Sequence, residues 1–417
     1  MRTTAPVQGF LYCSFMSEAF IYDAVRTPRG SARASGGLHT LSPIDLGASV
    51  LSALRNRTGF DRLNVEDVIF GVGDGVDDQG ANLARSSALH AGLGDAIPGS
   101  VISRFCASGL DAVNLAAAKV VAGHGDLLVA GGVEMMSLIP IAGTGGPWGS
   151  DAFFNTTTNF TPLGVAADLL GTLEGHTRED VDAYAAESQA RAARAWSEGR
   201  FAKSVVPVRD FNGAICLERD EIARPGTTVE SLGKLKPAFA DMATKGGFGE
   251  TVKQRYPQVN RLHHLHTGGN SSGMVDGASA ILIGSEEVGR QLGLKPRARI
   301  TASATTACDP CLMLVAPAEA ARRAAARRGY QLADIDLFEV NEAFASVVLR
   351  FMRETGVPHD RVNVNGGAIA MGHPIGATGG MLVGTLLDEM ERCGARTGIV
   401  TLCAGLGLGV ATLIERI

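Results

Sequence analysis

The chain has 417 residues, of which 45% are hydrophobic and 19% are charged, and its formal net charge is −5. This length exceeds one ordinary hydrophobic core and predicts two or three domains. The net negative charge gives no general attraction to nucleic acid or to an anionic membrane, and no apolar run approaches the ~18 residues that a membrane helix needs. We therefore expect no nucleic acid among its partners and no membrane insertion.

The segment before the first strand-like run, residues 19–25, has little pattern of its own. Residues 1–15 contain a single arginine and no helical periodicity, which is untypical of a signal or transit peptide. We expect a disordered extension there, with Met16 as an alternative start of the protein.

The seven cysteines do not predict a disulfide scaffold in a chain of this size, so we expect a reducing, cytoplasmic compartment. Cys308 and Cys311 form a lone C-x-x-C pair without a second pair or a nearby histidine. Zinc usually takes four ligands, so we expect no metal at this pair.

An internal duplication organises the sequence. Residues 65–70 (VEDVIF) resemble residues 333–338 (ADIDLF), and 39 residues separate Asp67 from Cys106 as they separate Asp334 from His373. Small-residue helices are expected at 112–121 and 379–391, and apolar strands at 127–131 and 399–403. Two strand–helix–strand copies predict a parallel sheet covered by helices, with the chemistry at the ends of strands and the starts of helices.

The duplication would place Cys106 and His373 at equivalent helix starts that face each other across a pseudo-two-fold axis. Between the copies, residues 137–262 are richer in charge and include an amphipathic helix from Arg178, with Thr177 and Asp180 as its capping box. We predict an N-terminal half over 16–136 and 263–293, an inserted domain over 137–262, and a C-terminal half over 294–417.

Cys106 has the context of a nucleophile. A cysteine among apolar residues is more often a small buried hydrophobe, but Arg104 precedes this one and Gly109 follows it at a helix start. A helix N-terminus favours the thiolate, so we expect a lowered thiol pKa. His373 lies in the glycine-rich run 366–379, and as a neutral imidazole it could take the proton of the thiol. Cys403 lies at the end of the last predicted strand of the second copy. A zinc site formed by Cys106, His373 and Cys403 is the competing interpretation.

Five blocks resemble the signature blocks of the thiolase family, in order and at fitting spacing. They are Cys106-Ala-Ser-Gly109, residues 269–277 (GNSSGMVDG), Asn341-Glu-Ala-Phe344, residues 372–376 (GHPIG) and Cys403-Ala-Gly405. The resemblance covers nearly the whole chain from Ala19. It implies a duplicated α/β fold in α/β/α/β/α layers with two pseudo-symmetric halves and an inserted loop domain.

The family resemblance also implies roles. Cys106 would carry the acyl group, His373 would deprotonate it, and Asn341 would hold a water of the first oxyanion hole. Cys403 would exchange the α-proton of the second acyl-CoA, and the N–H groups of Cys106 and Gly405 would form the second oxyanion hole. The reaction would be thiolytic cleavage of a 3-oxoacyl-CoA, or the reverse Claisen condensation.

The resemblance implies coenzyme A and acyl-CoA as substrates and products, with no permanently bound cofactor. The positions expected to contact CoA are Arg224, Ser231 and Ser272, and Arg224 is the best placed by chemistry because a guanidinium matches phosphate geometry. A homodimer or homotetramer is expected through the N-terminal half.

Two departures from the family pattern concern the acyl pocket. Residues 162–164 (PLG) replace a common His-Met, and residues 240–263 form a loop about twenty residues longer than usual, ending in the cluster 263–266 (HHLH), which we interpret as a polar strand edge. Two alternatives stay open. A ketosynthase relative would generally carry His or Asn in place of Cys403, and a non-catalytic scaffold subunit would lack one of Cys106, His373 and Cys403.

Overall fold

The structure is a computed structural model that describes residues 18–60 and 65–417. The expected extension over residues 1–15 and the alternative start at Met16 lie outside the described residues. The strands are β1 (Ala19–Arg26), β2 (Gly30–Ser31), β3 (Asp67–Gly71), β4 (Gly99–Ile102), β5 (Leu127–Met135), β6 (Val208–Arg209), β7 (Ile215–Leu217), β8 (Val275–Gly284), β9 (Ala298–Ala307), β10 (Leu337–Val340), β11 (Thr397–Ala404) and β12 (Leu408–Arg416).

The helices follow the strands of each half and fill the segment between the halves. They are α1 (Pro43–Thr58), α2 (Leu83–His90), α3 (Ser108–Val121), α4 (Pro147–Ser150), α5 (Ala152–Thr158), α6 (Leu163–Glu174), α7 (Arg178–Ser197), α8 (Val229–Gly233), α9 (Ala240–Thr244), α10 (Phe248–Arg255), α11 (Glu286–Gln291), α12 (Ala316–Ala326), α13 (Ala345–Thr355), α14 (Ala368–Met371) and α15 (Ile375–Cys393). Among the described residues, none of the helices combines the length and the apolar character that crossing a membrane requires.

One ten-stranded sheet runs through the described part of the chain. Its order is β10-β11-β12-β9-β1-β8-β5-β3-β4, with β2 paired to β8, while β6 and β7 form a separate hairpin. β3 is parallel to both β4 and β5, and β10 is parallel to β11, as the duplication predicts. The two halves join where β1 pairs with β9 in antiparallel register.

The helices form three layers around the two halves of the sheet. α3 and α15 lie at the centre, in a buried cluster with residues of β5, β8, β11 and β12. α1 and α2 cover the outer face of the N-terminal half, and α12 and α13 cover that of the C-terminal half. This is the predicted α/β/α/β/α arrangement, and it puts the two duplicated helices side by side.

The duplication is confirmed at the helices and corrected by three residues at the strands. Both α3 and α15 begin two residues after the paired site residues, Cys106 and His373. The predicted strand equivalent, Asp334, instead ends a short 3₁₀ turn, and β10 begins at Leu337. Leu337 pairs with the strand after the helix as Asp67 does, because the turn takes up three extra residues in the C-terminal half.

Glycines allow the two central helices to touch through their backbones. A Cβ atom on Gly109 would lie 2.4 Å from the carbonyl oxygen of Gly376, and one on Gly379 would lie 2.0 Å from the main-chain nitrogen of Leu110. These separations are far below contact distance, so only glycine fits there. The glycine-rich run after residue 366 therefore serves the approach of α15 to α3, which brings the helix starts together.

The segment between the halves folds over the core. α7 begins at the predicted capping box, in which Thr177 and Asp180 hydrogen-bond reciprocally. Asp220 of this segment accepts hydrogen bonds from the side chain of Arg26, at 2.7 and 3.0 Å, and from the main chain of Arg29 at 2.9 Å. This buried ion pair fastens the segment to the end of β1. The domain boundaries stay a prediction.

Candidate active site

Cys106 lies in a strained turn between β4 and α3. Phe105, immediately before it, has a positive φ of 49°, a conformation that bulky residues rarely adopt. The thiol is buried, and burial together with the charge of Glu134 raises its pKa from 9.0 to about 12. The expectation of a lowered pKa is wrong, because the main-chain N–H groups directed at the sulfur do not offset desolvation. At rest this sulfur is a thiol.

His373 immediately precedes Pro374, from which α15 starts, and it is neutral. Burial, and secondly the positive charge of Arg29, lower the pKa of its imidazole from 6.5 to about 3. Its Nδ1 atom lies 2.6 Å from the hydroxyl oxygen of Thr378, and that hydroxyl donates to the carbonyl of Pro374 at 3.0 Å. Thr378 therefore accepts the proton of Nδ1, which leaves Nε2 with a free lone pair that can take a proton.

Asn341 follows β10 and is directed at His373. Its Nδ2 atom lies 3.4 Å from Nε2 of His373, and its main-chain N–H donates to the carbonyl of Thr401 at 3.0 Å. Its Oδ1 atom is buried and has no protein partner among the described residues. A buried amide oxygen of this kind is a ready site for a bound water.

Cys403 is the penultimate residue of β11 and lies within electrostatic range of Cys106. It is 2% exposed, in an apolar cluster with Phe344, Met313 and Phe160. Burial, and secondly the neighbouring sulfur of Cys106, hold the pKa of its thiol well above the ordinary value. The N–H of Gly405, two residues on, points at the Cys106 sulfur together with the N–H of Cys106 itself. Two main-chain donors therefore converge on the sulfur of Cys106.

A cavity of about 490 Å³ opens beside this centre, and it brings together Arg224, Ser231 and Ser272. Ser272 donates its main-chain N–H to the carbonyl of Ala343 at 2.9 Å. The carbonyl of the next residue, Gly273, accepts the N–H of His373, also at 2.9 Å. The floor of the cavity is thus bonded directly to the residue that carries the imidazole.

Two residues of the site are missed by the sequence analysis. Thr378 lies inside the glycine-rich run, and its distance of five residues from His373 puts it on the first turn of α15. Glu134 is a buried carboxylate at the end of β5, and its only sequence signal is an acidic residue in an otherwise apolar strand. Both are identified by their contacts and not by a motif.

The histidine cluster of the long loop is anchored and is not a strand edge. His264 and His266 lie in irregular chain, and their Nδ1 atoms lie 3.0 and 2.8 Å from the carboxylate of Asp168 on α6. The interpretation of residues 263–266 as a strand edge is wrong, because the buried carboxylate of Asp168, distant in sequence, contacts both imidazole rings. Within residues 18–60 and 65–417, no group of three or more His, Cys, Asp or Glu side chains is arranged to hold a metal ion.

Comparisons with known proteins agree with this geometry. The family description "Thiolase, N-terminal domain" matches residues 19–247, and "Thiolase, C-terminal domain" matches residues 294–416. The chain is 38% identical to a 3-ketoacyl-CoA thiolase of Aliivibrio fischeri and 36% identical to one of Klebsiella pneumoniae, in each case over 96% of this chain and the whole of the relative. The crystal structure of the Bacillus anthracis acetyl-CoA acetyltransferase superposes with a TM-score of 0.83 at 34% identity, covering 96% of this chain and 99% of that one.

The fold, the site and the relatives together show the class of the protein, which is an acyltransferase enzyme. Within that class, the chain belongs to the thiolase family. The α/β fold predicted from the resemblance is confirmed by the solved neighbour.

Proposed function

We propose that the protein cleaves a 3-oxoacyl-CoA with coenzyme A, giving acetyl-CoA and a shortened acyl-CoA, or runs the reverse Claisen condensation, through an acyl group on Cys106. The observation that carries the proposal is the convergence of the Cys106 and Gly405 N–H groups on the Cys106 sulfur, between a base-competent imidazole and a second thiol. An acyl group on sulfur keeps thioester reactivity, which both directions of the reaction need.

In the cleavage direction, Nε2 of His373 takes the thiol proton as the Cys106 sulfur attacks the 3-oxo carbonyl carbon. The main-chain N–H groups of Cys106 and Gly405, which point at this sulfur, stabilise the negative oxygen of that adduct, and one such donor typically contributes ~3 kcal/mol to a transition state. The C2–C3 bond then breaks, and its electron pair forms the enolate of acetyl-CoA. The shortened acyl group stays on the sulfur of Cys106.

Cys403 gives its proton to the α-carbon of that enolate. The N–H formed on the imidazole of His373, with a water held by Oδ1 of Asn341, stabilises the enolate oxygen of the thioester. Coenzyme A then passes its thiol proton to the Cys403 thiolate and attacks the acyl-Cys106 carbonyl. This step releases the shortened acyl-CoA, and the departing Cys106 sulfur takes back its proton from His373. In the condensation direction Cys403 removes the α-proton instead.

Coenzyme A is proposed to lie in the cavity beside His373, as substrate and product and not as a resident cofactor. Arg224 at the cavity supports a phosphate contact, and Ser231 and Ser272 support contacts to the phosphate and pantetheine parts. The segment 137–262, which supplies two of these residues, is accordingly proposed as the CoA-binding insertion between the halves 16–136 with 263–293 and 294–417.

The assembly is proposed to be a homodimer or homotetramer formed through the N-terminal half. β4 ends the sheet order there, and among the described strands it pairs only with β3, so its outer edge is free for another subunit. Free thiols at Cys216, Cys308, Cys311 and Cys393 support a reducing compartment such as the cytoplasm.

Turnover of 3-oxoacyl-CoAs of increasing chain length, with free CoA, tests the proposed reaction. We expect CoA-dependent loss of the 3-oxoacyl thioester with equal formation of acetyl-CoA and the shortened acyl-CoA. Absence of turnover on every chain length would exclude the reaction and leave a non-catalytic subunit. Carrier-protein-linked substrates consumed in place of CoA thioesters would indicate a ketosynthase.

A further inference from the structure

Glu134 is a buried carboxylate inside the catalytic centre. It ends β5 and is 2% exposed. Its Oε2 atom accepts the main-chain N–H groups of Gly73 and Gly376 at 2.7 and 2.8 Å. Its Oε1 atom accepts the side-chain amide of Gln79 at 2.6 Å and the N–H of Asp74 at 3.3 Å. None of the four partners is a cation, so its charge is compensated by N–H dipoles alone.

One of these four bonds, from the N–H of Gly376, joins the two halves of the duplicated fold. Gly73 and Asp74 follow β3, in the half that carries Cys106, whereas Gly376 is on the first turn of α15, three residues after His373. A Cβ atom on Gly73 would lie 2.7 Å from Oε2 of Glu134, so the close approach depends on the glycine. One carboxylate therefore fixes the histidine turn relative to the half that carries the cysteine.

The two duplicated helices differ at this point. The starts of α3 and α15 both lack a side-chain cap from their own N-cap residue, Ala107 and Pro374. Glu134 supplies a carboxylate to α15 from the other half of the fold, and among the described residues no carboxylate does the same for the N–H groups at the start of α3. The positive end of α15 is thus neutralised beside the imidazole, while that of α3 stays directed at the sulfur.

All four groups that face Glu134 are donors, and this keeps it ionised. Burial raises the pKa of its carboxyl. Protonation would nevertheless place an O–H donor opposite one of the N–H donors and lose a hydrogen bond, which favours the ionised form. Glu134 is also the charged group that most strongly raises the pKa of Cys106. The other charged group acting on that sulfur is Asp74, whose carboxylate accepts the N–H groups of Ala142 and Thr144. Cys403 also lies within electrostatic range.

We propose that Glu134 is a positioning residue for the reaction: its carboxylate fixes the turn of His373 against the half that carries Cys106, and its charge keeps the resting sulfur of Cys106 in its neutral thiol form. The inference rests on the proposed function, which makes these two residues the reacting pair. The proton then leaves sulfur for Nε2 only as the new S–C bond forms. Without bound substrate, the enzyme therefore has no thiolate at Cys106 that electrophiles could modify.

Alkylation of Cys106 by iodoacetamide across pH, measured beside turnover, tests this in Glu134→Gln. We expect kcat to fall at least tenfold because the neutral amide cannot satisfy four donors. We also expect alkylation near neutral pH to become about tenfold faster, which corresponds to a fall of one unit in the thiol pKa. A purely structural role would lower turnover without speeding alkylation, so an unchanged alkylation profile overturns the inference.

Glu134→Asp separates the effect of the charge from that of the position of the carboxylate. It also tests the positioning role if Glu134→Gln does not fold. It keeps the negative charge but shortens the reach, so kcat should fall while the alkylation profile stays that of the unmodified protein. Normal turnover in Glu134→Asp contradicts the positioning role. Asp276→Asn is the matched control: this carboxylate is fully buried and accepts the N–H of Ser137 at 2.8 Å, but it does not act on Cys106. If the unmodified protein shows no CoA-dependent turnover of any 3-oxoacyl-CoA, the proposed function fails before the role of Glu134 is reached.

Discussion

The Nδ1 atom of His373 lies 2.6 Å from the hydroxyl oxygen of Thr378, one turn along the same helix start. Because that hydroxyl donates to Pro374, it fixes the imidazole with its proton on Nδ1 and its lone pair on Nε2. The residue that selects the reactive form of the base is thus not one of the residues of the signature motifs.

Thr378→Val should lower kcat about 10–100-fold with little change in KM, because the imidazole loses its fixed tautomer and orientation. Thr385→Val is the matched control, since the Thr385 hydroxyl is buried on the same helix but donates only to the carbonyl of Met381. Steady-state kinetics on both variants checks the prediction. Equal losses in the two would show that α15 is merely sensitive to substitution.

Cys403→Ala should separate the two half-reactions. Exchange of labelled CoA into acetyl-CoA moves no α-proton, and His373 can pass the proton of Cys106 to the departing CoA and take it back from the incoming one. This exchange should therefore persist without Cys403. Carbon–carbon cleavage should fall by roughly 10³-fold or more, because the enolate loses its proton donor. Cys308→Ala removes a sulfur near Cys403 that has no proposed role, and it should retain both activities. Loss of exchange in Cys403→Ala would contradict the assignment.

The duplication made the pairing of Cys106 with His373 predictable, because equal spacing places equivalent residues at equivalent helix starts. Strand and helix identities followed from apolar runs and small-residue patterns. The equal spacing paired Asp67 with Asp334, but β10 begins three residues later, at Leu337, because a 3₁₀ turn at Leu332–Asp334 precedes it.

Contacts between distant segments could not be predicted in the same way. The bonds of Glu134 to Gly376, and of His264 to Asp168, join residues about a hundred or more positions apart. The thiol pKa was predicted with the wrong sign because the helix start is visible in sequence, whereas burial and a neighbouring carboxylate are not.

Gly379→Ala should destabilise the fold by about 1–3 kcal/mol, because its Cβ would lie 2.0 Å from the main-chain nitrogen of Leu110. Gly384→Ala on the same helix is the control. Its Cβ would meet that of Ala24 at an ordinary 3.4 Å, and it should raise helix stability by up to about 1 kcal/mol. Denaturant unfolding of both variants measures the difference, and equal stabilities would contradict the close crossing.

Acid should destabilise the protein partly through His373. Its folded pKa is lowered to about 3 from 6.5, so its contribution is complete above pH 6.5 and is lost as the pH falls toward 3. By about pH 4.5 the loss should reach roughly 2–3 kcal/mol. The free energy of unfolding of His373→Asn should therefore fall less between about pH 7 and pH 4.5 than that of the unmodified protein. Parallel pH curves would show that the imidazole is not buried in its neutral form.

Arg224→Ala should raise KM for coenzyme A about tenfold by removing a phosphate contact, and leave KM for a truncated pantetheine thiol unchanged. Arg209→Ala is the charge-matched control, because Arg209 lies on the exposed β6–β7 hairpin and donates to the carbonyl of Gly213. Kinetics with both thiols separates the phosphate contact from a general effect of charge. An equal rise for the truncated thiol would place Arg224 elsewhere.

Acylation of Cys106 is the most direct test of the central claim. The protein is mixed with a 3-oxoacyl-CoA in the absence of free CoA, quenched in acid within the first turnover, digested, and its cysteine peptides are weighed by mass spectrometry. We expect one shortened acyl group on the peptide that contains Cys106, released on addition of CoA. An acyl group on Cys403 or on any other residue, or none at all while acetyl-CoA is formed, would contradict it.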